Sequence, residues 1–341
     1  MSWCEQLSGK FGYSNNPMNP PPAEKGDNVI QFALTEGCSH NACTFCVMYR
    51  EGDNNRKKQF HVKTPREFGD HVEQVLHNFY VQNPAVLSGF NRIFIGAGNA
   101  LGVDHDLLLQ ATQYALLRLK DFTAEIPRRL AVYGNTNDIL EHGYSDLRHL
   151  RCGGVCGNCS IDRLGSKRGV DVVYWGVESA NDLALQIGGK GYTQEMALQA
   201  GDLLKRADIR PSIMIMPGLG GMDCWDGHVE DTVYLLNRIR PEWVTFIGLR
   251  INEGTPYDRW IKKEEARGTN RRLTEAEIIE QTAQMVERLN FETTIGVHGS
   301  TIHTFGDNPA PIGAHKVGYV GDSRRVARLL RREAEQNGLR I

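Results

Sequence analysis

The sequence predicts an α/β fold, a parallel sheet curved into part of a barrel and followed by a C-terminal α/β extension. Three observations carry this: six short apolar runs recur along the chain, one-faced helical patterns lie between them, and 341 residues suffice for a large unit of this kind. The runs are Val29 to Leu34, Arg92 to Ile95, Leu130 to Tyr133, Val172 to Gly176, Ser212 to Met216 and Val244 to Leu249. Each is short, and each precedes a glycine-rich or polar turn.

The helical patterns follow in order. Pro65 to Val81 spaces Phe68, Val72, Val75, Leu76 and Phe79 for one face, and Asp104 to Leu119 repeats the pattern. Thr193 caps a helix through Met196, Ala197, Ala200, Leu203 and Leu204. His228 to Ile239 follows the fifth run. Beyond Arg250, Thr274 to Leu289 is amphipathic, Thr293 to Val297 reads as a further strand, and Asp322 caps a helix from Ser323 to Gln336 with an arginine-rich outer face. The expected organisation is a Pro- and Asn-rich leader over 1–27, a core over 28–260 and an extension over 261–341 that covers the barrel opening.

The formal net charge of -2 gives no bulk attraction to nucleic acid or anionic membrane. No apolar stretch reaches the ~18 to 20 residues of a membrane span. The first residues are polar and Pro-rich instead of basic and then apolar, so no secretory signal is expected and a cytoplasmic setting is. In that setting eight cysteines are seldom disulfide staples.

Six of the eight fall in two triplets. Cys38, Cys43 and Cys46 lie in GCSHNACTFC directly after the first strand, and Cys152, Cys156 and Cys159 lie in CGGVCGNC between the third and fourth. Thiolates at a strand end can hold a metal or an iron-sulfur cluster, and three ligands leave one coordination position open. Cys4 and Cys224 read as small apolar side chains or chance thiols.

With the cysteines so placed, the chain resembles the radical S-adenosylmethionine (SAM) superfamily over about residues 28 to 260, in particular the group with four and two residues between its cysteines that is similar to coproporphyrinogen oxidases. The resemblance implies a partial (β/α)6 TIM-like barrel of the radical SAM type. It also implies a 4Fe-4S cluster on Cys38, Cys43 and Cys46, with SAM on the open iron and Phe45 near the adenine. IFIGAGNAL looks like the glycine-rich segment that receives the SAM amino group, with Gly98 and Asn99 at its tip, although Asn99 stands where an acidic residue is commoner. WGVESAND is similar to the segment that puts Glu178 and Ser179 near the ribose or methionine. IMIMPGLGG is similar to a glycine-containing stretch that passes the adenine, which implies Gly218 there, and GLRINEGTP resembles the family's sixth strand and PGTP, which implies that Arg250 points toward the cofactor. The chemistry implied is reductive cleavage of SAM, normally to methionine and a 5'-deoxyadenosyl radical, with a one-electron donor such as flavodoxin or ferredoxin.

Each of these stations also has a plain reading. Glycines after strands are common in any barrel, and Glu178 could answer a helix dipole with Arg250 as its structural partner. Their order behind the cysteine triplet is what a generic barrel would not produce.

The second triplet fits an auxiliary iron-sulfur cluster, or a zinc site in which His149 joins Cys152, Cys156 and Cys159. For the substrate, Tyr133, His298 and His303 are the catalytic candidates. Tyr133, Asn135 and Asn137 are expected to alternate along a strand end and point one way. A small-molecule substrate is favoured by the charge. A tRNA or peptide substrate, transfer of an aminocarboxypropyl group, and a non-enzymatic zinc scaffold remain alternatives.

Overall fold

The computed structural model describes residues 28–51, 56, 57, 59–123, 127–154, 169–298, 315–317 and 320–336. The leader, Cys4, Cys156, Cys159 and His303 lie outside them. The chain forms two compact units, one of residues 1–41, 57–174 and 203–210, the other of 42–56, 175–202 and 211–341.

In the first unit, strands β1 (Val29–Ala33), β2 (Arg92–Gly96) and β3 (Arg129–Gly134) run parallel, with Val29 opposite Arg92 and Ile93 opposite Leu130. Ile93, Phe94 and Ile95 are all fully buried, as expected of a parallel strand covered on both faces. Helix α1 (Pro65–Gln82) starts at a capping box of Thr64 and Glu67 and buries the five apolar residues that its spacing selects. Each such side chain contributes roughly 1.5 to 3 kcal/mol when fully removed from water. Helices α2 (Pro84–Gly89) and α3 (His105–Lys120) follow, the latter capped by Asp104.

The sequence reading names no helix between the third and fourth strands, yet α4 (Thr136–Cys152) stands there. Its apolar residues Ile139, Leu147 and Leu150 fall on one helical face, but Glu141 to Asp146 between them hold no aliphatic residue, and Gly143 breaks the helix with φ 62° and ψ -176°. Glycine alone adopts that conformation at little cost. The start of α4 also corrects the expected strand end. Asn135 caps the helix in a capping box with Asp138, and Asn137 lies within it, so neither alternates with Tyr133 along a strand.

Strand β4 (Val172–Glu178) has residues in each unit. In the second unit β5 (Arg210–Ile215, which begins at the boundary), β6 (Trp243–Ile247) and β7 (Thr293–His298) run parallel, and β8 (His315–Val317) pairs antiparallel with β7. The hydrogen-bonded strand order is β1 through β8 in sequence, and among the described residues no pairing closes the sheet into a barrel. The further strand expected at Thr293 to Val297 is β7, which pairs parallel with β6 in the same sheet.

The helices of this unit are α5 (Asp182–Gly188), α6 (Gln194–Arg206, which runs on into the first unit), α7 (Trp225–Ile239), α8 (Pro256–Arg267), α9 (Glu275–Glu287) and α10 (Val320–Gln336). Because α10 starts at Val320, Asp322 lies inside the helix and does not cap it. Arg331 on α10 reaches Glu280 and Glu287 of α9, so one of its five arginines is committed to packing. Cys224 is buried with Leu219, Leu249, Tyr257 and Ile261, and burial pushes its thiol up to about 11, in keeping with an inert apolar role. No helix among the described residues is long and apolar enough to cross a membrane.

Candidate cofactor site

Cys38, Cys43 and Cys46 are half-buried and none is in a disulfide. In the second unit the loop that carries the latter two is fastened by its backbone. Thr44 N–H donates to the Gly188 carbonyl (3.0 Å), its hydroxyl donates to that of Ile187 (2.8 Å), and Tyr257 N–H donates to the Thr44 carbonyl (3.1 Å). Gly189, just past the end of α5, has φ 68°, and a Cβ there would lie 2.7 Å from the Ala42 carbonyl oxygen. Both the conformation and the close approach require glycine. Phe45 lies half-buried against the cluster of Leu219, Leu249 and Tyr257.

At the end of β4, Glu178 adopts φ 64°, a left-handed conformation that costs a non-glycine residue on the order of 1 to 3 kcal/mol. It is held by Met216 N–H, which donates to its carbonyl (2.7 Å), and by the Tyr192 hydroxyl, which donates to that of Val177 (2.6 Å). Its carboxylate faces Lys190 at 3.5 Å, with both side chains nearly excluded from water. Burial alone would lower the Lys190 pKa, but Tyr192, Cys43 and Glu178 outweigh it and hold the ammonium charged. A cation therefore stands within electrostatic reach of Cys43.

The neighbouring Ser179 is fully buried. Its hydroxyl lies 2.5 Å from His228 Nδ1 and accepts from Asn181 N–H (3.0 Å). Gly218 is buried as well, its N–H donating to Gln281 Oε1 (2.8 Å) and its carbonyl accepting from the Tyr257 hydroxyl (3.4 Å). Arg250 is exposed, and its side chain makes no hydrogen bond or ion pair among the described residues. The partner of Glu178 is thus Lys190 and not Arg250.

In the first unit, Gly98 leads from β2 to Asn99, which is buried and donates through Nδ2 to Ser39 Oγ (2.6 Å) and to Asp138 Oδ2 (2.7 Å). Its backbone carbonyl accepts from Gly102 N–H (3.3 Å), while its side-chain Oδ1 makes no hydrogen bond among the described residues. Gly102 leaves room for this network, since a Cβ there would come 2.7 Å from both Asn99 and Ser39. Burial raises the pKa of Asp138, and the Asn99 amide opposes the rise. Tyr133 stands with Phe94 and Tyr174 in an edge-to-face trio, at centroid distances of 5.1 and 6.2 Å. Cys152, half-buried, is the last residue of α4. The backbone of His298 ends β7, and nothing is described of its side chain.

Sequence reasoning missed Lys190, Asp138 and His228. Lys190 had a signal, a lone cation in the glycine-rich IGGKGY. Asp138 had one too, three residues after Asn135 in NTND, the spacing of a capping box. His228 was read only as the start of a helix.

No protein-family model and no curated protein matches the chain. Among solved structures, the cobalamin-dependent S-adenosylmethionine radical enzyme OxsB with aqua-cobalamin bound aligns with a TM-score of 0.51 at 15% identity, over 74% of this chain and 40% of that one. Its apo, selenomethionine-labelled form gives 0.51 at 14%, over 75% and 40%. Methylornithine synthase (PylB) gives 0.46 at 12%, over 90% and 84%. The chain spans about two fifths of the OxsB length. On the likeness to OxsB in strands, helices and their order, this chain has the fold of that S-adenosylmethionine radical enzyme.

Proposed function

We propose that the protein is a radical SAM enzyme acting on a small molecule, with a 4Fe-4S cluster on Cys38, Cys43 and Cys46. The observation that carries this reading is the fastened cysteine loop after β1, in a fold shared with such enzymes. The residues fit the group: three thiols free of disulfides supply a soft donor set with one position to spare, and Lys190 compensates the negative charge at Cys43. The open Asn99 Oδ1 is the acceptor a SAM amino group needs. Phe45, beside Leu219, offers an apolar face to an adenine.

A cluster held by Cys38, Cys43 and Cys46 would supply one-electron reduction of SAM, with cleavage of a carbon-sulfur bond. This chain's residues fix the loop through Thr44, hold Asn99 through Ser39 and Asp138, and keep a cation beside Cys43. The electron comes from a donor such as flavodoxin or ferredoxin, in a cytoplasm that keeps the thiols reduced. On this reading Cys152, Cys156 and Cys159 hold a second cluster or a zinc ion. The formal net charge of -2 argues against nucleic acid as the substrate, and Arg331 of the α10 arginine face is committed to Glu280 and Glu287.

Anaerobic purification tests the proposal. About four irons per chain at the first site and release of 5'-deoxyadenosine from SAM under reduction are expected, and both should disappear in Cys43→Ala. A product carrying the methylthio group would identify aminocarboxypropyl transfer instead. Iron-free protein after reconstitution would sink the reading.

A further inference from the structure

We propose that His105, His142 and Asp146, all in the first unit, form a binding site for a first-row divalent metal ion, zinc being the ion they suit best. Ligand atoms of the three residues lie within 4.8 Å of one another, and all three side chains are half-buried. Tetrahedral zinc with bonds of about 2.0 Å places its ligands about 3.3 Å apart, so closure asks for side-chain shifts of about 1.5 Å at most. The set is two imidazoles and one carboxylate, which leaves a coordination position open.

The hydrogen bonds around the imidazoles leave lone pairs where a metal needs them. His142 Nε2 lies 2.7 Å from the Leu101 carbonyl oxygen, which only accepts. The proton therefore sits on Nε2, and Nδ1 carries the free lone pair. His105 Nε2 lies 2.9 Å from His149 Nδ1, with the two rings stacked at 5.1 Å. With His105 Nε2 donating to His149 Nδ1, the lone pair is left on His105 Nδ1, which is buried and has no hydrogen-bond partner among the described residues. A buried nitrogen without a partner is costly, and a metal ion would satisfy it. Metal-binding histidines are commonly held this way, with the second nitrogen on a carbonyl or another acceptor.

Asp146 supplies the charge. It makes no hydrogen bond or ion pair among the described residues. The break at Gly143 lies between His142 and Asp146, and it sets the direction in which each half of α4 presents its residue. His149 acts here as the outer partner of His105, a use different from a ligand beside Cys152.

The test must separate this site from zinc on cysteines. Full-length protein with its cluster reconstituted anaerobically is titrated with zinc and dialysed, and zinc per chain is counted in the wild type, His142→Ala, Asp146→Asn and Cys152→Ser. One zinc retained in Cys152→Ser, lost in His142→Ala and bound more than about tenfold more weakly in Asp146→Asn is the expected result. Cobalt(II) at the same site should give ligand-field bands without the thiolate charge-transfer band. Asp146→Asn conserves shape, so its thermal midpoint without metal should match the wild type, while only the wild type gains stability from added zinc. Zinc that vanishes with Cys152→Ser, zinc unaffected by both His142→Ala and Asp146→Asn, or no zinc at this stage in the wild type would overturn the proposal.

Discussion

The polar residues that follow β2 in the first unit and β4 in the second stand at comparable places along the chain and are used in opposite ways. Asn99 gives both amide hydrogens to Ser39 and Asp138 and keeps its side-chain Oδ1 unbonded among the described residues. Ser179, by contrast, engages its hydroxyl with His228 and Asn181 inside the packed interior. The first arrangement leaves an acceptor open, the feature the proposed SAM contact uses, and the second braces a strand end. A residue at a motif position can therefore be a contact or a strut, and its hydrogen bonds decide which.

The largest expected effect tests the strut with acid. Burial holds His228 at about 4, against a slight opposing pull from the Met216 backbone. The unfolded chain binds this proton near 6.5, so stability that is full above that pH falls as pH drops from about 6.5 to about 4, by about 3 kcal/mol. His71 in the first unit behaves alike. Burial depresses it to about 4, and its Nε2 must stay unprotonated to accept from Ala33 N–H at 3.0 Å. Urea unfolding between pH 4 and 7 should show a shallower acid limb in His228→Gln than in the wild type, with the His71 share remaining. Identical limbs would remove His228 from the strut.

The next two predictions set contact against strut directly. Asn99→Ala should raise the KM for SAM in the cleavage assay by about tenfold, the worth of one hydrogen bond to a charged group. Ser179→Ala should leave that KM unchanged and lower unfolding stability by about 1 to 2 kcal/mol, since His228 loses a buried partner. A rise in KM for Ser179→Ala equal to that of Asn99→Ala would erase the difference between the two strand ends.

How much of this was legible beforehand follows from which interactions are local. The strands and long helices could be read because apolar spacing reports burial directly, as in Phe68, Val72 and Phe79 of α1. The cysteine loop could be read because its donors lie within nine residues of chain. Helix α4 was missed, because the stretch from Glu141 to Asp146, with Gly143 inside it, separates its apolar residues. The Glu178–Lys190 pair was hidden for a different reason. Twelve residues separate them, and the turn that brings them to 3.5 Å depends on glycines whose conformations no spacing rule encodes. The same holds for Ser179 and His228, 49 residues apart. Polar partners across such separations are fixed by the fold, and sequence alone supplies only the residue types.

The smallest expected effect concerns Arg250, which sequence order points toward the cofactor and the structure leaves exposed without a polar partner among the described residues. An exposed side chain with no fixed geometry contributes little, so Arg250→Ala should shift stability by less than about 0.5 kcal/mol and the KM for SAM by less than about twofold. An exposed arginine can still swing onto a bound carboxylate, where a two-pronged contact would form only with ligand present. In that event the KM for SAM would rise in Arg250→Ala but recover partly in Arg250→Lys, which keeps the charge and loses the fork. Unchanged KM in both variants would make Arg250 a surface residue and leave Asn99 as the polar contact the described residues offer on a fixed scaffold.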